Sequence, residues 1–248
     1  MKQLHIIVLL VILLSTNAMA QYTQQGKIEY ERKTNLKKQI DDMGSDNDWA
    51  QAIKSQIPKF KSDFFDLYFN LSKTVYKPGK KPEGNDVVKM WGSEPAGENI
   101  VYTDLSANNV IATKQVYEQK FLVQDSIRKI KWRITDEIRI IANYKCRKAV
   151  GKICDSVYVV AFYTDDIIVS GGPEMFCGLP GMILELAVPR LYTTWVADKI
   201  EITAPKETEM VAPDKGRKVN QKQFYDALQL GLKDWGKYAA KSIWWCTL

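Results

Sequence analysis

Alternation of apolar and polar positions runs through most of the chain and predicts strands. Between 182 and 188, Met182, Leu184, Leu186 and Val188 share one face of a two-residue period; Ile183, Glu185 and Ala187 share the other. The same period places Ile28 and Tyr30 on one face of a first strand over 25–36. It places Phe65, Leu67, Phe69 and Leu71 on one face of a run over 63–77. Residues 128–134 read as a strand in which Ile130, Trp132 and Ile134 alternate with Lys129, Lys131 and Arg133. The alternation resumes over 137–150 through Ile138, Ile140, Ala142, Tyr144 and Cys146. Residues 157–163 are almost continuously apolar, as expected of a central strand covered on both faces. Shorter strands are expected over 87–91, 99–104, 109–117 and 120–123, with one or two more over 192–203.

Two segments take a helical pattern instead. Ser45 or Asp46 can cap a short helix over 47–56 that stops before Pro58. Asn220 can cap a helix over 220–240, where Phe224, Leu228, Leu232, Trp235 and Ala239 form one apolar stripe. Between them, 204–218 reads as a charged linker. The whole predicts a mostly-β fold: a single antiparallel, sandwich-like domain with a short N-terminal helical insertion and a C-terminal amphipathic helix.

The alternation breaks most sharply over 171–181. Leu179-Pro180-Gly181-Met182 carries a type II turn signature, with proline first and glycine second of the central pair. Two readings of this loop are open. It can plug the edge of a sheet with its apolar side chains, or it can present Met175, Phe176 and Leu179 as a binding lip.

Residues 1–20 combine Lys2, an apolar run over 6–14 and Ala18-Met19-Ala20, the pattern of a secretory signal cleaved after Ala20. The expected mature chain is then 21–248, with no transmembrane segment and a periplasmic or secreted location. The chain's single histidine is His5, so the expected mature protein has no imidazole for triads, general bases or zinc sites. An even count of four cysteines in an exported protein suggests two disulfides. Cys146 can face Cys154 across a hairpin turning near Val150 and Gly151, leaving Cys177 to join Cys246; Cys146 with Cys177 is the competing choice.

The net charge is +6, and it is unevenly spread: residues 120–152 hold ten basic and three acidic side chains. Lys129, Lys131, Arg133, Arg139, Lys145 and Arg147 form a candidate basic face, suited either to solvent or to an anionic lipid or acidic glycan, and outside the cytoplasm not to nucleic acid. No catalytic, cofactor or metal motif stands out. The acidic run over 41–48 lacks the glycine and closing glutamate of a calcium loop. Asp165, Asp166, Glu174 and Glu185 supply carboxylates near the glycine-rich loop, enough in type for glycoside hydrolysis. Met175, Cys177 and Met182 supply soft donors of the kind that hold Cu(I).

Gly178-Leu179-Pro180-Gly181-Met182-Ile183 is one substitution from GLPGLI, and the chain resembles the bacterial GLPGLI family of exported proteins. Gly172, Pro173 and Phe176 complete its longer pattern before Gly178, Leu179, Pro180 and Gly181. Trp132-Arg133-Ile134-Thr135-Asp136-Glu137, Tyr144-Lys145-Cys146-Arg147-Lys148-Ala149 and Ala161-Phe162-Tyr163-Thr164 match further family runs, with Phe162 where tryptophan is usual. The resemblance extends to the N-terminal bowl-like domain of a bacterial peptide N-glycosidase. It implies a β-rich bowl and a non-catalytic binding or accessory role toward a glycan, a lipid or an outer-membrane protein. The alternative is a carboxylate-based hydrolase of envelope or extracellular glycans.

Overall fold

The computed structural model describes residues 22–42, 52, 54–81, 96–154 and 156–248. The expected signal segment, the strand over 87–91 and most of the acidic run over 41–48 lie outside the described residues. Of the helix expected over 47–56, residues 52 and 54–56 are described and helical.

Twelve strands are described: β1 (Gly26–Asn35), β2 (Phe60–Phe69), β3 (Lys73–Pro78), β4 (Ile100–Asp104), β5 (Asn109–Val116), β6 (Gln119–Ser126), β7 (Arg133–Ile141), β8 (Tyr144–Ile153), β9 (Val157–Thr164), β10 (Met182–Val188), β11 (Thr193–Glu201) and β12 (Arg217–Val219). They form one open sheet in the order β12-β6-β5-β4-β3-β2-β1-β11-β10-β9-β8-β7. Every pairing is antiparallel except β12 with β6. The helices are α1 (Leu36–Asp42), α2 (Gln221–Gly231) and α3 (Lys237–Cys246). The fold is therefore mostly β and antiparallel-dominated, as the pattern predicts.

Where alternation is cleanest, burial follows it. In β1, Ile28, Tyr30, Arg32 and Thr34 all point inward, so two polar residues extend the apolar face. Arg32 is fully buried with its charge met: it pairs with Asp63 at 2.8 Å, donates to the Ala96 carbonyl at 2.9 Å and lies over the rings of Phe65 and Trp245. β10 buries Met182, Leu184, Leu186 and Val188, and Ile183 too, because β10 is central and covered on both faces.

Four elements differ from expectation, each for a local reason. The run over 63–77 is two strands, β2 and β3: the Asn70 side chain accepts from the backbone N–H groups of Ser72 and Lys73, closing a turn that leaves Leu71 exposed. Residues 127–132 are outside the ladder. Ile130 and Trp132 instead pack over Gly151, where an added Cβ would meet Ile130 at 2.8 Å and the Trp132 ring at 2.9 Å. The run over 137–150 is a hairpin, β7 and β8, reversed by Ala142 and Asn143, both at positive φ. The C-terminal helix ends at Gly231 and, after a 3-10 turn over Lys233–Trp235 and Gly236 (φ 55°, ψ −129°), restarts at Lys237, so the stripe is buried at Phe224, Leu228 and Leu232 but Trp235 is exposed.

The hairpin correction also removes the first expected disulfide. Cys146 lies near the start of β8 and Cys154 just past its end, so the two are separated along one strand rather than facing across a turn. All four cysteines are free thiols in the structure, which leaves the pairings Cys177 with Cys246 and Cys146 with Cys177 unformed as well.

Candidate functional site

The loop between β9 and β10 is the plug of the sheet. Residues 171–177, Leu179 and Gly181 are buried. Met175, Phe176 and Leu179 are each no more than 7% exposed, so they are core residues and not a presented lip. Apolar side chains on an irregular segment stay dry here because they join the main hydrophobic core of the sheet. The Pro180 turn is also tighter than its type II signature implies. Gly181 N–H donates to Leu179 O at 2.8 Å across Pro180, a γ-type closure, and Met182 N–H donates instead to Ile167 O at 3.1 Å.

This plug carries one charged side chain inward. Glu174 takes a positive φ of 54°, unusual for a residue with a Cβ, and is 2% exposed. Its Oε2 accepts from Asn99 Nδ2 at 2.8 Å and lies 3.4 Å from Lys114 Nζ. Its Oε1 has no hydrogen-bond partner among the described residues. Lys114 projects inward from β5 on the same parity as Val110 and Ala112, and its ammonium also donates to the Leu248 carbonyl. Burial pulls the Lys114 pKa below the ordinary lysine value despite Glu174, and the nearby charge of Arg128 pulls in the same direction.

A cavity of about 390 Å³ opens beside this pair. Lys114 and Arg128 give it cationic walls, Val123, Met175 and Phe224 give it apolar ones, and Lys222 and Tyr225 of α2 stand at its side. Arg128 donates to Thr247 O at 2.6 Å, and none of the ion pairs among the described residues includes it. Burial lowers its pKa from the ordinary arginine value. Arg128, partly buried, thus stands in the cavity wall beside the buried Lys114, and the two give this end of the cavity a positive character.

The other sequence candidates distribute differently. Lys129, Lys131, Arg133, Arg139, Lys145 and Arg147 are exposed, but Arg139 is taken up by Glu185 at 2.9 Å and lies over Phe162. Asp165 and Asp166 are exposed in the turn after β9, Glu185 is paired outward, and Glu174 is buried; none of the four lines the cavity. Of the soft donors, Met175 reaches the cavity, whereas Met182 packs toward Gly171. Asn99, Lys114 and Arg128 were absent from the sequence candidates. Lys114 had a legible signal, a lysine on the inward parity of an apolar strand; Asn99 had none.

Burial pushes Cys146 up to about 12, and Cys177 and Cys246 each up to about 11. Cys154 is partly exposed and lines the cavity, its sulfur 3.6 Å from the Thr247 hydroxyl. In native protein at pH 8, a thiol reagent is expected to label Cys154 first, and the other three only after denaturation. Failure to label two or four cysteines in denaturant without reductant would contradict this thiol assignment.

A model of the family described as a protein of unknown function (Porph_ging) matches residues 151–185, the span from the end of β8 through the plug to β10. That is the GLPGLI-type family, so the resemblance read from the motif holds, and the family is a bacterial one. Two crystal forms of PNGF-II, a peptide N-glycosidase, share the fold: each aligns with a TM-score of 0.53 and 16% identity over 82% of this chain. The chain spans 32% of the length of PNGF-II. No curated protein matches at the sequence level. No helix among the described residues is long and apolar enough to cross a membrane.

Proposed function

We propose that this chain is an exported, non-catalytic binding module of the bacterial cell envelope. Its cavity takes the anionic end of a glycan, a lipid or a segment of an outer-membrane partner. The observation that carries this reading is Arg128, a partly buried cation lining the cavity beside Lys114, with a backbone carbonyl as its hydrogen-bond acceptor. Lys114 is already paired with Glu174, but Arg128 is in none of the ion pairs among the described residues, and a carboxylate or phosphate seated against it would gain charge-assisted hydrogen bonds. The apolar walls at Val123, Met175 and Phe224 favour a body with apolar surface. A glycan-acting neighbour of the same fold supports acidic glycans as one candidate class.

A thermal-shift panel tests this on full-length protein. Hexyl phosphate, hexanoate, glucuronate and phosphatidylglycerol vesicles represent the anionic classes, with hexanol as the uncharged control. At least one anion is expected to raise the Tm of wild type, and Arg128→Met is expected to abolish that shift. A response to hexanol equal to that of its anionic analogues would contradict an anion site. Cleavage of a glycan probe, lost in Glu174→Gln, would favour the hydrolase instead.

A further inference from the structure

Ion pairing is uneven across the sheet. Along β1, Lys27, Arg32 and Lys33 each meet a carboxylate. Around β7 and β8, Lys129, Lys131, Arg133, Lys145 and Arg147 are exposed, and none of the ion pairs among the described residues includes them. Of the two acids between 128 and 152, Glu137 is taken up by Lys148 and Arg139, which leaves Asp136 alone outside a pair. The unpaired charge at this end of the sheet is therefore strongly positive.

Apolar surface lies among these cations. Ile134, Ile138 and Ile140 are 43%, 49% and 69% exposed. The register sets Ile138 opposite Arg147 and Ile140 opposite Lys145, so these four side chains share one face beside the hairpin reversal. Ile134, opposite Ala149, stands on the same face. Alternation along β8 carries that face on to Gly151, where Ile130 and Trp132 lie over it. Lys129 and Lys131, flanking those two packed residues, are left to solvent. Single exposed isoleucines are ordinary, but three in a row among unpaired cations form an interaction surface. The ladder irregularity between Ile134 and Ile138 does not disturb it, because the surface is made of side chains and uses no edge hydrogen bonds.

We propose that this face docks on the surface of an anionic lipid bilayer. Ile138 and Ile140 enter the acyl boundary, and Lys145, Arg147, Lys129 and Lys131 meet the phosphates. The chemistry selects this occupant. An acidic glycan would satisfy the cations but offers the isoleucines no hydrocarbon. An apolar protein groove would cover the isoleucines but strand the cations. A bilayer interface supplies both at adjacent depths, and basic side chains reach its phosphates while their stems stay in apolar surroundings. The surface is separate from the cavity, which none of these residues lines.

Co-sedimentation of the full chain with vesicles tests this. Wild type is expected to bind phosphatidylglycerol vesicles at least about tenfold more tightly than phosphatidylcholine vesicles, and to lose that excess in about 0.5 M salt. Lys145→Gln with Arg147→Gln is expected to weaken phosphatidylglycerol binding about tenfold or more, and Ile138→Ser with Ile140→Ser about tenfold. Lys218→Gln with Leu230→Ser, exposed at the far end of the sheet, is expected to bind like wild type. Any contribution from the apolar run over 6–14 is common to all these proteins. All the substitutions are at exposed positions, and an unchanged Tm checks that folding is intact. No preference for phosphatidylglycerol, or undiminished binding by the Lys145 and Arg147 variant, would overturn the proposal. Undiminished binding by the isoleucine variant would also overturn it, since the surface would then read charge alone, as for an acidic polymer. Arg128→Met is expected to keep vesicle binding. Its loss there would assign the lipid to the cavity and overturn the docking face, whereas the cavity reading itself stands or falls on hexyl phosphate.

Discussion

Gly181→Ala is expected to destabilise the protein by at least about 3 kcal/mol, a large part of the roughly 5–15 kcal/mol by which domains are stable. The methyl group itself is the problem. An added Cβ would stand 2.0 Å from Thr164 O and 2.8 Å from Thr164 C, both backbone atoms of the neighbouring strand, and the position has φ 152°. Backbone cannot swing aside as a side chain can, so β9 and β10 would have to separate at their junction with the plug. Gly178→Ala is the control. Its φ is also positive at 92°, but an added Cβ meets only the Trp132 indole, at 3.7 Å and beyond. Chemical denaturation should therefore rank Gly181→Ala well below Gly178→Ala. Equal midpoints would mean that the close approach at Gly181 does not govern the motif.

Glu174→Gln is expected to cost about 3 kcal/mol, because it keeps the shape and an acceptor for Asn99 while removing the side-chain carboxylate that pairs with Lys114. Replacing both partners, as Lys114→Met with Glu174→Leu, is expected to recover much of that loss, since a matched apolar pair leaves no buried charge. The pH dependence has a defined sign. The Lys114 pKa is lowered in the folded protein, so the native state binds this proton less readily than the unfolded chain. Stability from this group is complete above the unfolded lysine value of about 10.4 and is lost as pH falls toward the folded pKa. The deficit of Glu174→Gln should shrink as pH rises toward about 10. A deficit that grew over that range would contradict the buried pair.

How much of this was legible in the sequence depended on whether the determining contacts were local. β1 and β10 followed from alternation and β9 from its continuous apolar run, because each is flanked by paired strands that bury it. The same reasoning failed on Ile138 and Ile140: alternation identifies a face but not which face is covered, and at the end of a sheet the apolar one can be left open. The hairpin at Ala142 and Asn143 carries no glycine, so its reversal did not announce itself. Residues 128–134 alternate perfectly, yet Ile130 and Trp132 are spent on Gly151 and on a hydrogen bond from Trp132 to Cys177 O at 2.9 Å. The candidate site was the least legible part. Glu174, Asn99 and Lys114 come from three separate segments, and only the curl of the sheet around its plug brings them together.

That geometry recasts the glycine-rich motif. Its prolines and glycines let an apolar loop fold into the main core, where it supplies Glu174 to Lys114 and Met175 to the cavity wall. The motif builds the site from beneath and does not itself present one. Calorimetric titration of hexyl phosphate into wild type and Arg128→Met tests this most directly. The account predicts saturable one-to-one binding to wild type, weakened about tenfold to a hundredfold in the variant by loss of a charge-assisted contact, with the ligand recovered intact. Equal affinity for the two proteins would contradict it.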